Sequence, residues 1–356
     1  MKGLIKKSSC LVLLTAFLAG CSKNDEAPYV PPVIEGSITA ALGEELENQV
    51  FVNLAKKELL SVPAGSWDLA FQSSGGTAIR VNTGKKSSVY IAETTDFASV
   101  TSAPAARAFA YDDPAAMSDP SKTAIGEWMA AGASKNLVYI INLGNDAPAS
   151  SNPLGYKKMQ VTGFEDGVYH IKYANLDGTE AGEADIPVNT RTNYTYYSFA
   201  KGVVQVEPDK DSWDLAFAGI TVAGGGPPGS YVVSFAVISN TLNGTRVAED
   251  NPGKELVDSD LPEDPINQLP DSESNYETLS KADYARIGGS DNPLAIGRDW
   301  YQILKPHSDG IYKVYNWRTY LIKTQHDQYF KLKFTAYKSV ETGEKGYPSF
   351  EYQELP

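Results

Sequence analysis

The 356-residue chain carries 31 lysines and arginines against 44 aspartates and glutamates, a formal net charge of −13. So acidic a chain is poorly suited to nucleic acid, or to anionic lipid held by charge. Its two cysteines, Cys10 and Cys21, leave the residues after position 21 with neither a disulfide framework nor a thiolate metal cluster.

Lys2, Lys6 and Lys7 precede the apolar run Cys10 to Leu18, which is too short to span a bilayer and reads as a signal peptide over residues 1–20. Its ending, Leu18-Ala19-Gly20-Cys21, resembles a bacterial lipobox, in which Cys21 becomes the lipidated first residue of the processed chain. Ser22 to Glu26 is similar to the short acidic export tag of lipoproteins displayed on the outer face of the outer membrane. Ala27 to Pro32 holds three prolines and reads as a stiff tether, so residues 21–36 form a lipidated leader.

Beyond the tether one phrase occurs twice, as Ser66-Trp67-Asp68-Leu69-Ala70-Phe71 and Ser212-Trp213-Asp214-Leu215-Ala216-Phe217. Upstream, Val50 to Lys56 matches Thr195 to Lys201; downstream, Tyr169 to Tyr173 matches Phe330 to Phe334. The chain is therefore a tandem duplication, with domains expected at 37–182 and 183–356 and a join near Gly178 to Pro187. A fragment from Ile186 to Pro356 is expected to fold alone. Between the repeats' landmarks, apolar and polar residues mostly alternate with period two, as in Phe330-Lys331-Leu332-Lys333-Phe334. The apolar run Tyr231 to Ile238 suits a strand covered on both faces. Hairpin turns are expected near Glu165-Asp166-Gly167 and Gln325-His326-Asp327. Helix signals are few: Asp119-Pro120 with Ile125, Trp128 and Met129 behind it, and Ser280 to Ile287 stopped by Gly288-Gly289. The acidic, proline-bearing stretch Glu249 to Glu273 reads as an excursion from the β core. The fold class is all-β, two tandem, mostly antiparallel domains with few short helices.

From about Ile186 onward the chain resembles the HmuY-like haem-binding lipoproteins. Four segments carry the likeness: Tyr196 to Gly202, Ser212 to Phe217, Tyr329 to Phe334 and Lys345 to Tyr352. The first copy resembles the family through the Trp67 phrase and Ile79 to Gly84. The resemblance implies an outer-membrane lipoprotein, lipid-anchored at the cell surface, that captures haem for a TonB-dependent outer-membrane receptor. Members that hold haem use two axial side chains, histidine or methionine.

Haem iron needs donors on opposite faces of the ring and apolar walls around it. Of the three histidines, His170 lies on the polar face of its strand and His326 in a hairpin turn. His307 lies in a loop, Lys305 to Gly310, close to the spacing of one family axial histidine. An ungapped offset sets Lys331 opposite His170 and Asp146 opposite His307, so the fold does not demand histidine at 307. No histidine or methionine falls where the second ligand should be; Tyr276 and Tyr284 are the oxygen donors of that stretch. Met117, Met129 and Met159 belong to the first copy, where core filling accounts for Met129. Gly224 to Gly229 and Gly84 to Ser87 mimic phosphate loops but lack the strand–helix context. The resulting assignment is a non-catalytic haem binder using His307 with Tyr276 or Tyr284. The alternative is a haem-independent adaptor or adhesin for a partner protein or glycan. A carboxylate pair for glycoside hydrolysis comes third.

Lipidation gives the first test. Cys21→Ser should abolish acyl attachment, because that one sulfur carries the lipid. Phase partitioning into detergent should fall away for the variant; unchanged partitioning would remove the lipid anchor.

Overall fold

The computed structural model describes residues 33–115, 118–148, 150–223, 231–255, 272–304 and 311–355. The signal peptide, Cys21, Met117, His307 and most of the acidic excursion lie outside them. Among the described residues the expected β architecture is present as four sheets of four or five antiparallel strands, with two small hairpins.

Two cores form, each between a five-stranded and a four-stranded sheet. In one, the strands Gly182–Pro187, Val168–Ala174, Tyr156–Glu165, Tyr139–Asn142 and Ser88–Ile91 lie side by side in that order. They share a core with the sheet Gly202–Val204, Tyr194–Ser198, Leu69–Gln72 and Ile79–Val81. In the other, the order is Glu35–Thr39, Lys345–Leu355, Tyr329–Lys338, Thr319–Lys323 and Arg246–Asp250. Its companion sheet is Tyr231–Ser239, Leu215–Ala223, Asn48–Asn53 and Glu58–Pro63. Alternation places the apolar residues: Phe330, Leu332 and Phe334 are buried with Leu215, Phe217 and Phe350. The outer face of each five-stranded sheet carries a second, smaller apolar layer. Over one lie Val100 and Phe109; over the other lie Leu279 and the helix Lys281–Ile287. That helix is the one expected from Ser280, and its first turn is closed by the reciprocal Ser280–Asp283 capping box.

The sequence boundary at 182/183 does not separate these cores. Leu215, Ala216 and Phe217 pair with Val52, Phe51 and Val50, while Leu69, Ala70 and Phe71 pair with Tyr197, Tyr196 and Thr195. The two registers are the same register, so each repeat lends its opening strand to the other. Likewise Gly182–Pro187 closes on Val168–Ala174, and Glu35–Thr39 closes on the last strand, Lys345–Leu355. One domain is therefore contiguous, built from strands between Leu69 and Val204. The other is split, built from strands 35–63 and 215–355 at the two ends of the chain.

The repeated aspartates secure the exchange. Asp214 Oδ2 accepts from Leu54 N at 2.8 Å, and Asp68 Oδ2 accepts from Phe199 N at 2.8 Å. The backbones agree: Asp214 N donates to Val52 O and Asp68 N to Tyr197 O. Behind each aspartate an asparagine holds the chain, Asn82 donating to Ala64 O and Trp67 O, and Asn240 to Lys210 O and Trp213 O. The symmetry ends at the second carboxylate oxygen. Asp68 Oδ1 meets the buried Lys85 Nζ at 2.7 Å, whereas the position matching Lys85 is Asn243. Burial pushes Asp214 up to about 6, against the opposing influence of the Leu54 N–H and His326. Burial likewise pushes Glu207 up to about 7, although Asn193 N, Tyr194 N and Trp213 Nε1 all donate to it.

Strand order also corrects the residue correspondence between repeats. The third strand of each five-stranded sheet is Tyr156–Glu165 in one domain and Tyr329–Lys338 in the other. Lys158 thus corresponds to Lys331, and each buries its ammonium against a carbonyl, Val100 O or Tyr276 O. By its pairing His170 corresponds to Ser349, not to Lys331. The hairpin Tyr301–Leu304 with Ile311–Val314 corresponds to the minimal hairpin Met129–Ala130 with Ala133–Ser134, so Asp146 is not opposite His307. The ungapped offset failed because strands of one hairpin share the same alternation. The helix expected from Asp119 is a single 3₁₀ turn, Pro120–Lys122. Gly126, at φ 72°, turns the chain so that Ile125 and Trp128 both reach the core from irregular backbone.

Two tests follow from this arrangement. A fragment spanning 64–206 should melt cooperatively, whereas 186–356, lacking three strands of its sheets, should not; calorimetry of both decides. The acid groups set a pH dependence. Asp214 and Glu207 bind protons more tightly folded than unfolded, so the stability these two groups contribute is fully present below about pH 4 and is lost as pH rises toward about 7. Asp214→Asn should flatten that decline, measured as melting temperature against pH.

Candidate functional site

A groove of about 550 Å³ opens on the split domain, between Ile311–Val314 and Tyr329–Lys338. That volume lies in the range of small-molecule pockets, roughly 300–1,000 Å³. Tyr312, Val314, Phe334, Ala336 and Tyr337 supply the apolar part of its lining.

An aromatic ladder fixes these walls from the core outward. Trp300 stacks on Phe334 with ring centroids 3.9 Å apart, and Phe235 lies parallel to Tyr301 at 5.7 Å. Tyr301 meets Tyr337 at 4.5 Å, and Tyr337 stacks on Tyr312 at 3.8 Å and an interplanar angle of 5°. Tyr337 is thus held between Tyr301 and Tyr312 at the wall of the groove. Burial, with Tyr301 and Tyr312 beside it, holds the Tyr337 phenol far above its ordinary range, so it stays protonated.

The charged lining is mostly cationic, with Lys313, Lys333 and Lys338 against Glu351, beside the neutral Asn316 and Thr335. Lys333 Nζ lies 3.4 Å from the Glu351 carboxylate, and Lys338 Nζ lies 5.5 Å above the centre of the Tyr312 ring. Irregular pairing between Phe334 and Lys338 interrupts the alternation of the strand, so residues of both parities border the groove.

The expected donors fall in different places. His307 belongs to residues 305–310, which link the two strands of the hairpin flanking the groove and lie outside the described residues. Tyr276 is buried beneath the lysines of the neighbouring strand, with Lys331 and Lys333 ammoniums 4.7 and 4.5 Å from its ring centre. In the contiguous domain Phe97 fills the same role between Lys158 and Lys172, at 4.9 and 4.8 Å. A phenylalanine suffices there, so the ring of Tyr276, and not its hydroxyl, is what the fold uses. Tyr284 packs edge-on against Tyr329, at the opposite end of the strand from Tyr337, about 25 Å away along extended backbone. Neither tyrosine lines the groove. His170 pairs with Asp185 at 2.7 Å and His326 Nε2 lies 2.9 Å from Asp211 O, both at the surface. Met129 and Met159 serve the core of the contiguous domain. Sequence reasoning missed Tyr312, Tyr337 and Lys338; their signal was the lengthened hairpin, hidden by the misaligned offset.

A smaller space, about 90 Å³, lies where the domains meet, between Trp67, Arg80, Tyr194, Glu207 and Trp213. It is too small for a macrocycle. Among the described residues no cluster of three or more metal-binding side chains occurs, and no helix is long and apolar enough to cross a membrane.

A family model described as HmuY protein matches residues 45–175 and 190–352. A comparison with curated proteins finds no match. Among solved structures, the apo HmuY analog of Tannerella forsythia is 13% identical, over 92% of this chain and 98% of its own, with a TM-score of 0.30. A candidate HmuY-like heme-binding protein of Bacteroides vulgatus is 9% identical over 90% and 91%, with a TM-score of 0.23. A candidate lipoprotein of Bacteroides fragilis is 18% identical over 54% and 91%, with a TM-score of 0.20. At such TM-scores these likenesses carry no weight; the sequence match over both repeats does.

Proposed function

The chain belongs to the HmuY protein family, and on that footing we propose that it binds haem in the groove of its split domain, as a lipid-anchored protein of the outer membrane. The observation that carries this reading is the asymmetry of the duplication. One domain closes its hairpin after Ala130 with a two-residue turn, and the other runs its hairpin strands to Leu304 and from Ile311 beside an aromatic groove, with His307 among the six residues that join them in sequence. Conserving a fold does not require that extension, since the contiguous domain lacks it.

The groove suits the ligand in two respects. Its size and apolar walls fit a macrocycle, and the connected hairpin supplies an imidazole that at neutral pH can be unprotonated and free to ligate. Bound iron would take His307 on one face. The residues' own task is to shield that face from water and to hold the ring against Tyr312 and Tyr337. The action is capture and release rather than catalysis, and a TonB-dependent receptor in the same membrane is the recipient that fits a lipid-anchored carrier. The anchoring part of this reading rests on Cys21 and the lipobox.

Titrating haem into the processed chain tests it. Binding should give a Soret band, and His307→Ala should weaken binding and alter the visible spectrum, since the axial ligand sets the field at iron. His170→Ala and His326→Ala should leave both unchanged. Indistinguishable spectra across all four proteins exclude His307, and no binding by wild type favours the adaptor reading.

A further inference from the structure

Resting on the haem reading, we infer that the groove recognises the carboxylates of a flat, dicarboxylate macrocycle through Lys333 and Lys338, so that a porphyrin binds with or without its metal. The two domains serve as each other's control. On the corresponding strand of the contiguous domain, Lys333 is replaced by Gln160 and Lys338 by Glu165. Gln160 is spent on structure there, donating to Thr95 O and Asn136 O at 2.8 and 2.6 Å. The same strand therefore tolerates a neutral residue and an acid at these two places; Lys333 also covers the Tyr276 ring, as Lys172 covers Phe97, whereas Lys338 has no such counterpart in the contiguous domain.

Charge points the same way. In a chain with a net charge of −13, the groove sets three lysines against one glutamate. Lys338 has the Tyr312 ring beneath it and no carboxylate partner among the described residues. An ammonium beside a low-dielectric aromatic wall attracts an incoming anion more strongly than one in open water. Lys333 already meets a carboxylate, Glu351, in a partly exposed pair that an arriving carboxylate can share or displace. A second pairing irregularity, between Ala336 and Lys338, has no counterpart after Gly163 in the contiguous domain. The first irregularity, between Phe334 and Ala336, shifts the alternation by one and so sets Lys338 on the face of Lys333 although five positions separate them.

The test uses the full processed chain and three ligands: metal-free protoporphyrin, its dimethyl ester, and haem. The variant Lys333→Gln with Lys338→Glu installs the residues that the other domain carries at these positions, and a thermal melt verifies that it folds. Binding of the free acid, followed by porphyrin fluorescence, should weaken about tenfold or more in the variant, as for loss of a charge-assisted hydrogen bond. The dimethyl ester should bind both proteins alike, and salt should weaken the free acid on wild type alone. Equal free-acid affinity in the two proteins, with haem still bound, overturns the carboxylate assignment and leaves the haem reading standing. Failure of wild type to bind either haem or porphyrin overturns both.

Discussion

Two buried carboxylates, Asp68 and Asp214, each accept a backbone N–H from the opposite repeat, and the architecture depends on this reciprocity. The donors, Phe199 N and Leu54 N, follow the opening strand of each repeat, where the chain leaves the ladder and a buried N–H would lack a partner. An orphaned buried donor costs roughly 1–3 kcal/mol, more than an ordinary hydrogen bond contributes. Placing the acceptor directly after a tryptophan anchors it: Trp213 packs edge-on against Phe51 at 5.2 Å, and Trp67 against Tyr196 at 5.1 Å, again across the repeats. The phrase that repeats in sequence is thus the clasp by which each copy holds the other.

A clasp used twice leaves room for divergence elsewhere. Asp68 is satisfied by Lys85, a buried pair whose disruption would strand a charge. Asp214 has no such lysine partner among the described residues, and burial pushes its carboxyl up to about 6. In the same spirit the contiguous domain keeps a minimal hairpin, from which Ser134 Oγ donates to Val161 O. The departures gather in the split domain, which carries the longer hairpin and the aromatic groove.

The duplication, the β class, the hairpin turns and the capped helix at Ser280 were legible because each rests on local pattern: a repeated phrase, period two, positive-φ residues at Asp166 and Asp327, a capping box. Strand exchange was not legible. Phe51 and Tyr196 are interchangeable by pattern, and nothing in either sequence says whose Leu-Ala-Phe it will pair with. The same degeneracy slid Tyr169 onto Phe330, although the buried lysines Lys158 and Lys331 mark the true correspondence once their carbonyl partners are seen. The residues of the groove were hidden for a related reason. Tyr312 and Tyr337 read as strand aromatics among 21 tyrosines, and only their juxtaposition across two hairpins makes a wall.

The pairing of Glu35–Thr39 with Lys345–Leu355 brings together residues some 310 positions apart, as in the Thr39–Ser349 hydroxyl contact at 2.7 Å. A chain synthesised from its N-terminus must therefore leave its first strand, Glu35–Thr39, without its partner until the last strand arrives. The contiguous domain meets no such delay, since all its strands are present once Val204 has emerged. Maturation has a built-in order: the interior of the chain folds as it appears, and its two ends close around it last. Throughout that interval the unpaired Glu35–Thr39 strand is an open edge, and the exposed Leu59 and Leu60 lie on another.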